Sequence, residues 1–405
     1  MCHTCDERFL ESAATLARKG GADVAPNPQV GALVVANERV VAEGYHARYG
    51  GPHAEAEALD VAGDAARGAT LYCTLEPCSY DAPDKHQPPC TRRIIAAGIS
   101  RVVIGQLDPN PRVRGNGVAI LREAGVEVVV ADEPGPFLRL NPAFNTWMAS
   151  HRPEVHLKTA MSLDGRIATA DGNSRWITDE TARRRAHALR GEADAVAVGI
   201  GTVLADDPLL TTRLVAAPDA RPVVFDSSLA IPLSSALVRG RPRDLIVVTA
   251  ATEADRRRDL ERRGVTVVPV NSTSGSHEEG GRVDVAEALV RLGELGIRSL
   301  LVEGGSRLVT SFVRRDLFDR MTAFVAPILL GAGIPAVGEL GTASVADARR
   351  LAHVRWEPLG DQLVCSGYHP RWAQRVLAWG EGAARGGATA AHHYEPEVLH
   401  VHRTG

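Results

Sequence analysis

The chain has 405 residues, which is enough for two or three domains of ordinary size. Its formal net charge of -3 and its 4% of aromatic residues give no basic surface and few stacking side chains, so a small-molecule substrate is expected rather than nucleic acid. No apolar run approaches the roughly 18 residues of a membrane span, and the N-terminus lacks a signal-peptide pattern. We therefore expect a cytoplasmic protein without a membrane partner.

The first part of the chain predicts an α/β domain over residues 1–150. A helix comes first, with Asp6 as its expected N-cap. The apolar runs VGALVVA and VVAEGYH, separated by Asn37 and Glu38, predict a β-hairpin. Helical and strand patterns then alternate, which is typical of helices returning over a sheet, in the order HAEAEALDVAG, ATLYCTL, TRRIIAAG, RVVIGQL, GVAILREAG and VEVVVA.

A second α/β domain is expected over residues 151–370, because DEPGP interrupts the alternation and HRPEVHLK restarts it. Its predicted helices include DETARRRAHALRG and VAEALVRLGELG. Its predicted strands are EVHLKTAMS, ADAVAVGIG, RPVVFDSS, DLIVVTA, VTVVPV, RSLLVEGG and MTAFVAPILL. PRWAQRVLAW predicts one more helix, and residues 371–405 are expected to be a largely flexible C-terminal extension.

The six cysteines of so long a chain indicate thiols rather than a disulfide framework. Cys73 is expected to be a buried apolar residue. Cys2 and Cys5 are spaced like a zinc or redox pair, but they precede the first predicted helix and lack a second pair, so a flexible start is the alternative. Metal binding and a solvated end are likewise both open for the histidines of the extension, His392, His393, His400 and His402.

Four residues form a candidate zinc site: His53, Cys78 and Cys90 as ligands and Glu55 as the acid/base group. A catalytic zinc takes three protein ligands and leaves its fourth position for water, whose pKa it lowers. His53 and Glu55 converge only if His53 lies at the entrance of a helix, because residues two apart do not share a helix face. Cys90 is expected at a helix N-terminus, where the dipole favours thiolate. Chance co-occurrence of the four residues is the alternative.

The sequence then shows a specific resemblance. Zinc deaminases carry H-x-E followed by P-C-x-x-C, and this chain has HAE and PC with a longer gap before the second cysteine. APNPQVGALVV, GYH, GPHAEAEAL, TLEPCS and PPC resemble, in that order, the deaminase half of the bifunctional riboflavin-biosynthesis deaminase-reductases. The resemblance implies a cytidine-deaminase-like fold in which Asn27 and His46 contact the substrate, the three ligands hold Zn²⁺ and Glu55 shuttles protons.

The segment between the two cysteines departs from the pattern of that family. Tyr80 stands where the family has a histidine, and DAPDKHQ lengthens the segment. Eleven intervening residues close a loop at little extra entropic cost compared with about eight, so the length does not argue against zinc. Lys85 is the nearest cation and His86 the next, and either could reach the substrate. A solvated loop without substrate contact is the alternative.

The glycine pattern of the second domain does not predict a Rossmann fold, because GIGTVL lacks the third glycine of G-x-G-x-x-G. LLVEGGSRLVTSFV instead predicts a strand, a turn at Gly304 and Gly305, and a helix. Backbone amides at such a turn can face a phosphate, and a tight turn without a ligand is the alternative.

Charged residues of the second domain suit a phosphorylated sugar. Arg190 and Arg213 are fork donors for a phosphate, and Glu303 can accept hydrogen bonds from hydroxyls, although solvated arginines are the alternative. Lys158 and Asp206 could supply or orient a proton at a carbonyl that receives hydride. Their alternatives are a solvated side chain and a turn residue.

LKTAMSLDGRIATADGNSRWIT, LRGEADAVAVGIGTVLADDPLLTTR and VEGGSRL resemble the reductase half of the same family, and the two halves together cover residues 6–370. This resemblance implies a dihydrofolate-reductase-like fold that uses NADPH. The implied cofactor contacts are Ala160, Trp176, Thr202, Asp206, Ser227, Gly305, Ser306, Arg307 and Leu308. The implied substrate contacts are Ser174, Arg190, Leu210, Arg213 and Glu303.

Both resemblances together imply a bifunctional enzyme. Its first activity would be zinc-dependent hydrolytic deamination of 2,5-diamino-6-(5-phosphoribosylamino)pyrimidin-4(3H)-one, and its second NADPH-dependent reduction of the ribosyl side chain to ribityl. Two alternatives remain: the same folds acting on a related aminopyrimidine outside riboflavin synthesis, and a nucleic-acid-editing protein built on the deaminase fold. Apolar sheet edges make a homo-oligomer the expected assembly.

Overall fold

The computed structural model describes residues 3–80, 88–110, 113–273 and 282–377. Lys85, His86, Cys2 and the four histidines of the extension lie outside these ranges, so the hypotheses that rest on them stay predictions. PRWAQRVLAW forms a helix over 372–377 within the described part of the chain. None of the helices in that part is both long and apolar enough to cross a membrane.

The first sheet is built from the alternating elements that the sequence predicts. The elements up to residue 150 are α1 His3–Ala17, the 3₁₀ helix η1 Arg18–Val24, β1 Gly31–Ala36, β2 Arg39–Tyr45, α2 Ala54–Ala62, the 3₁₀ helix η2 Gly63–Ala66, β3 Thr70–Cys73, α3 Cys90–Ala96, β4 Arg101–Ile104, α4 Asn116–Glu123, β5 Glu127–Val130, α5 Gly135–Leu138 and α6 Pro142–Ser150. The strand order is β2-β1-β3-β4-β5, with β3, β4 and β5 parallel. The predicted hairpin is confirmed, because β1 and β2 pair antiparallel and both turn residues, Asn37 and Glu38, have positive φ as a tight hairpin turn requires.

The first helix begins earlier than the sequence suggests. It starts at His3, so Asp6 lies inside its first turn and is not its N-cap, and Cys5 is helical instead of preceding the helix. The carboxylate of Asp6 accepts hydrogen bonds from the hydroxyl of Tyr72 at 2.7 Å and from two nitrogens of Arg101 at 2.8 and 2.9 Å. Asp6 therefore links α1 to β3 and β4, because its partners Tyr72 and Arg101 lie on these strands.

The second sheet has nine strands in the order β11-β10-β9-β8-β14-β6-β15-β18-β17. Its elements, with two small two-stranded sheets, are β6 Glu154–Ser162, β7 Arg166–Thr169, α7 Glu180–Gly191, β8 Ala195–Gly199, α8 Ile200–Asp206, β9 Arg221–Phe225, α9 Ala236–Gly240, β10 Ile246–Thr249, α10 Ala254–Glu261, β11 Thr266–Pro269, β12 Ser272–Thr273, β13 Arg282–Val283, α11 Val285–Glu294, β14 Ser299–Val302, α12 Ser306–Arg314, β15 Arg320–Ala326, β16 Gly333–Pro335, the 3₁₀ helix η3 Val345–Asp347, β17 Ala352–Leu359 and β18 Gln362–Tyr368. The strands from β11 to β15 pair in parallel, and β18 and β17 add antiparallel.

Every strand that the sequence predicts for this domain is present, and β8, β10 and β14 are nearly continuous apolar runs because helices cover both faces of a parallel sheet. Strands β17 and β18, and the short strands β7, β12, β13 and β16, were not predicted from the sequence. Most residues of β17 are exposed, so AHVRWEPL lacks the alternation of apolar and polar residues that marks a half-buried strand. Only its pairing with β18 defines it as a strand.

A buried ion pair lies where the chain passes from the first sheet to the second. The guanidinium of Arg152 donates to both carboxylate oxygens of Asp319 at 2.7 Å, and the amide of Val155 donates to the same carboxylate at 2.9 Å. Asp319 is fully buried. Trp372, near the end of the described chain, returns to α6 by a hydrogen bond of 2.9 Å to Thr146. The segment between the sheets is thus held by charge and packing.

We expect Asp319→Ala to lower the free energy of unfolding by about 3–5 kcal/mol, because Arg152 would remain largely buried without its anion. Denaturant unfolding measures the change. The matched control is Arg257→Ala, which breaks the exposed pair between Arg257 and Glu261 and should cost less than about 0.5 kcal/mol. An effect of Asp319→Ala no larger than that of the control would contradict this prediction.

Candidate active sites

Two helix starts bring the zinc ligands together. His53 is the N-cap of α2 with an extended backbone (φ -72°, ψ 156°), as convergence with Glu55 requires, and Cys90 is the first residue of α3. Cys78 lies in the loop after β3, and its carbonyl accepts a hydrogen bond from the amide of Thr91 at 3.2 Å. The starts of α2 and α3 and the loop after β3 therefore set the positions of the three ligands.

The three side chains have the spacing that zinc needs. The Nδ1 atom of His53 lies 3.2 Å from Sγ of Cys90 and 3.6 Å from Sγ of Cys78, and the three ligand atoms all lie within 4.8 Å of one another. Zinc bonds to nitrogen and sulfur at tetrahedral angles put those atoms about 3.6 Å apart. The donor set and the geometry fit one zinc ion with a fourth position left for water.

The surroundings of Cys90 also fit a cation. Its hydrogen bond with Cys78, and then its burial, raise the pKa of the Cys90 thiol well above its ordinary value. The helix dipole by itself therefore does not produce the thiolate that the sequence analysis expected at this helix start. A divalent ion would supply the positive charge that deprotonates both thiols.

Glu55 lies beside this cluster in the first turn of α2 and is 4% exposed. Burial raises the pKa of its carboxyl, while the neighbouring His53 and a hydrogen bond with Cys90 oppose the shift. A carboxyl that is withdrawn from water and has a raised pKa accepts a proton more readily than an exposed one, as an acid/base group must.

Asn27 and His46, the two substrate residues implied by the resemblance, lie next to the metal cluster. The Nδ1 atom of His46 is 2.8 Å from the carbonyl of Pro52, so it must carry the proton, and Nε2 is then free to accept from Nδ2 of Asn27 at 3.2 Å. The rings of His46 and His53 meet edge to face with centroids 5.7 Å apart. Burial lowers the pKa of His46, which favours the neutral ring that this bonding pattern needs.

Glu76 is a structural residue of this site that the sequence analysis missed. Its buried carboxylate accepts hydrogen bonds from four backbone N–H groups at 3.0 to 3.3 Å, those of Asp108, Gly115, Gly117 and Val118. A side chain at Gly117 would lie 2.4 Å from the carbonyl of Pro77, so only glycine allows this approach. A charged residue two positions before Cys78 was the available signal, but only the fold shows that it binds the start of α4 and the loop before that helix.

A large cavity lies at the carboxyl ends of the parallel strands of the second sheet. Its volume is about 1260 Å³, which accommodates a dinucleotide. All the implied cofactor residues line it: Ala160, Trp176, Thr202, Asp206, Ser227, Gly305, Ser306, Arg307 and Leu308. Gly305 is the N-cap of α12, so the unpaired amides of that helix start at the cavity and can receive a phosphate. The cavity thus fits NADPH in size and chemistry.

The implied substrate residues are brought together with one exception. Ser174, Arg190, Arg213 and Glu303 line the cavity, whereas Leu210 does not. Leu210 is 3% exposed and belongs to the hydrophobic core between α7 and the sheet, with a φ of 55°. Any contact of Leu210 with a substrate must therefore come from its backbone.

Arg190 is already engaged within the protein. Its Nε and one terminal nitrogen donate to the two oxygens of Glu303 at 2.8 Å, and its other terminal nitrogen donates to the carbonyl of Thr211 at 2.9 Å. Lys158 lies 3.7 Å from the same carboxylate. Burial by itself would raise the pKa of Glu303, but the positive charges of Lys158 and Arg190 outweigh it and lower this pKa to about 2. Glu303 is thus an anion that can accept hydrogen bonds from hydroxyl groups, whereas the side chain of Arg213 is exposed.

His187 is a second residue that the sequence analysis missed. It lines the cavity one helical turn before Arg190 and is 5% exposed, and its Nδ1 has no hydrogen-bond partner among the described residues. Burial, and then Arg190 and Arg213, lower the pKa of His187 to about 4, so the ring is neutral at pH 7. The three-residue spacing in HALR was the available signal. Asp206, by contrast, is partly exposed and pairs with Arg175 at 3.4 Å.

Both sites lie in regions that match known protein families. Residues 3–106 match the cytidine and deoxycytidylate deaminase zinc-binding region, and residues 153–365 match the RibD C-terminal domain. The riboflavin biosynthesis protein RibD of Aquifex aeolicus is 41% identical over 366 residues, which are 90% of this chain and 98% of that protein.

Two solved structures are similar over nearly their whole length. RibD of Acinetobacter baumannii has a TM-score of 0.76 at 32% identity, covering 90% of this chain and 99% of that one. A diaminohydroxyphosphoribosylaminopyrimidine deaminase/5-amino-6-(5-phosphoribosylamino)uracil reductase of Thermotoga maritima has a TM-score of 0.74 at 35% identity, covering 91% and 99%. Neither a substrate outside riboflavin synthesis nor a nucleic-acid-editing protein is favoured by these relatives. The chain belongs to the RibD family, and it is a bifunctional enzyme of riboflavin biosynthesis, a zinc-dependent deaminase joined to an NADPH-dependent reductase.

Proposed function

We propose that residues 1–150 form the deaminase domain and act on 2,5-diamino-6-(5-phosphoribosylamino)pyrimidin-4(3H)-one, and that residues 151–370 form the domain that reduces the ribosyl side chain of the product to ribityl. The convergence of His53, Cys78 and Cys90 beside the buried carboxyl of Glu55 carries this proposal. The activity of the Thermotoga maritima relative supports the choice of substrate.

In the deaminase, His53, Cys78 and Cys90 would hold the zinc ion, which supplies an activated water when it is bound. Glu55 takes a proton from the attacking water and gives it to the departing amino nitrogen, so that the C–N bond breaks and ammonia leaves. Because Glu55 is buried, bulk water does not compete for the proton that it transfers. Asn27 and His46 bind the pyrimidine, since their amide and imidazole face the same cluster.

In the reductase, the residues that line the cavity divide into two sets. NADPH, when bound, supplies a hydride, and the amides at the start of α12 together with Ala160, Trp176, Thr202, Asp206 and Ser227 hold it. Ser174, Arg213 and the pair of Arg190 with Glu303 bind the open-chain ribose phosphate, with the backbone at Leu210 beside them. Lys158, next to Glu303, donates the proton to the carbonyl oxygen as hydride reaches its carbon.

The protein is also proposed to act as a homo-oligomer in the cytoplasm. Strand β17 forms the free edge of the nine-stranded sheet, and Trp356 and Leu363 on β17 and β18 are 63% and 45% exposed. The two side chains share a face, because Trp356 pairs with Cys365, two residues from Leu363. An exposed apolar face at a sheet edge is best covered by a second copy of the same strands.

We expect Glu55→Gln to abolish most deamination while one zinc per chain is retained, because the glutamine keeps the shape of the side chain and loses its proton transfer. The fall in kcat should be about 10²- to 10⁴-fold. Ammonia release and elemental analysis of the same preparation measure the two effects. Absence of stoichiometric zinc from the wild-type protein would overturn the assignment of the ligands.

The same Glu55→Gln protein should reduce substrate that has already been deaminated at the wild-type rate, because its reductase cavity is built from other residues. NADPH oxidation measured at 340 nm is the assay, with Lys158→Ala as the variant that should lose this activity and keep deamination. Loss of reduction in Glu55→Gln would show that the two sites are coupled.

Trp356→Glu should convert the oligomer into a smaller species, because a charge would be buried without a partner in the shared face. Sedimentation velocity distinguishes the species. Val61→Glu is the matched control, since Val61 is 65% exposed on α2 in the other domain and its replacement should leave the mass unchanged. A wild-type monomer would refute the proposed assembly.

A further inference from the structure

The peptide unit that precedes the side chain of Asn27 is bonded at both of its polar ends. The carbonyl of Pro26 accepts a hydrogen bond from Nη1 of Arg298 at 3.3 Å, and the amide of Asn27 donates to the carbonyl of Val24 at 2.8 Å. A peptide unit is planar and rigid. Fixing both ends therefore fixes the direction in which the side chain of Asn27 leaves the backbone.

Arg298 belongs to the C-terminal domain and is itself held in place. Its guanidinium lies 5.4 Å from the ring centre of Trp147, which is 9% exposed on α6. Its backbone amide donates to the carboxylate of Asp194 at 2.9 Å, and its carbonyl accepts from the amide of Glu154 at 2.7 Å. The guanidinium of Arg298 therefore reaches the carbonyl of Pro26 from a backbone held by hydrogen bonds, and it packs over the ring of Trp147.

The other end of the same loop is held by a different residue. The side chain of Asn141 accepts from the amide of Gln29 at 2.7 Å and donates to its carbonyl at 2.8 Å. Asn141 is 8% exposed and is the N-cap residue of α6. These two bonds fix Gln29 but do not reach the peptide between Pro26 and Asn27, whose two polar ends are held by Arg298 and Val24.

The orientation of Asn27 is passed on to the metal cluster. Its side-chain amide donates to Nε2 of His46, and His46 donates to the carbonyl of Pro52, the residue before the zinc ligand His53. A displacement of the peptide at Pro26 would therefore move the amide that binds the pyrimidine relative to the site where its amino group is removed.

We propose that Arg298 is a positioning residue of the deaminase, supplied by the reductase domain, which holds Asn27 in the orientation that binds the pyrimidine. The inference rests on the proposed role of Asn27 in substrate binding. Arg298 does not touch the reacting atoms, so its loss weakens binding of the substrate and of the transition state alike. KM rises in that case and kcat does not fall.

The test uses the full-length, zinc-loaded protein and the diaminopyrimidine ribotide. Arg298→Ala is expected to raise KM for deamination by about threefold to tenfold with kcat nearly unchanged, as the loss of one exposed hydrogen bond to a charged donor predicts. Arg298→Lys, which keeps a cation over Trp147, should raise KM less than Arg298→Ala does. Zinc content and reduction of deaminated substrate should match wild type. Arg291→Ala is the control, because Arg291 is exposed on α11 and pairs with Glu294.

Asn27→Ala separates this inference from the proposed function. If Asn27→Ala leaves deamination unchanged, the proposed role of Asn27 fails. If it raises KM, adding Arg298→Ala to it should have little further effect, because both changes act through one side chain. Additive effects, or an unchanged KM in Arg298→Ala alone, would refute the positioning role. So would equal losses of both activities together with a lower melting temperature, which would make Arg298 a structural residue.

Discussion

Four carboxylates, Glu55, Glu76, Glu303 and Asp319, lie largely or wholly out of contact with water, and a charge in that position needs compensation from the protein. Asp319 has the guanidinium of Arg152 and one amide, and Glu76 has four backbone amides. Glu303 has two cations. Glu55 has the least, and burial raises the pKa of its carboxyl. Of these four carboxylates, the one with the weakest compensation is the one that we propose as the proton carrier.

The compensation also determines where the catalytic residues can lie. Glu76 accepts amides from the loop before α4 and from the first turn of that helix, and this draws the chain around the end of β3, after which Cys78 follows. Glu303 fixes the guanidinium of Arg190 and attracts Lys158 to the edge of the cofactor cavity. In both domains a buried anion sets the positions of residues that we propose as ligands or catalytic groups.

Directional contacts join the two domains within the described part of the chain. Strand β14 begins directly after Arg298, which touches the deaminase loop, and ends directly before Glu303, which lies in the reductase cavity. A single buried strand of four residues therefore spans the distance between a contact of one active site and a residue of the other. Because both activities lie in one chain, Arg298 of the reductase domain can hold the loop that carries Asn27. A separate deaminase domain would need another contact in its place.

Local sequence determined most strands of the two sheets, the hairpin, the places of His53 and Cys90 at helix starts and the glycine turn before α12, because apolar periodicity and turn chemistry are properties of neighbouring residues. The motifs were long enough to identify the family and to name residues of which all but Leu210 line the cavity or surround the metal cluster. Tertiary structure alone decided that Asp6 pairs with Arg101 instead of capping α1, that Arg190 is bound to Glu303, that Leu210 is in the core and that β17 is a strand. It likewise decided the partners of Glu76 and Arg298. Each of these depends on a partner far away in the chain, and a charged or exposed residue carries no periodic signal of where that partner will be.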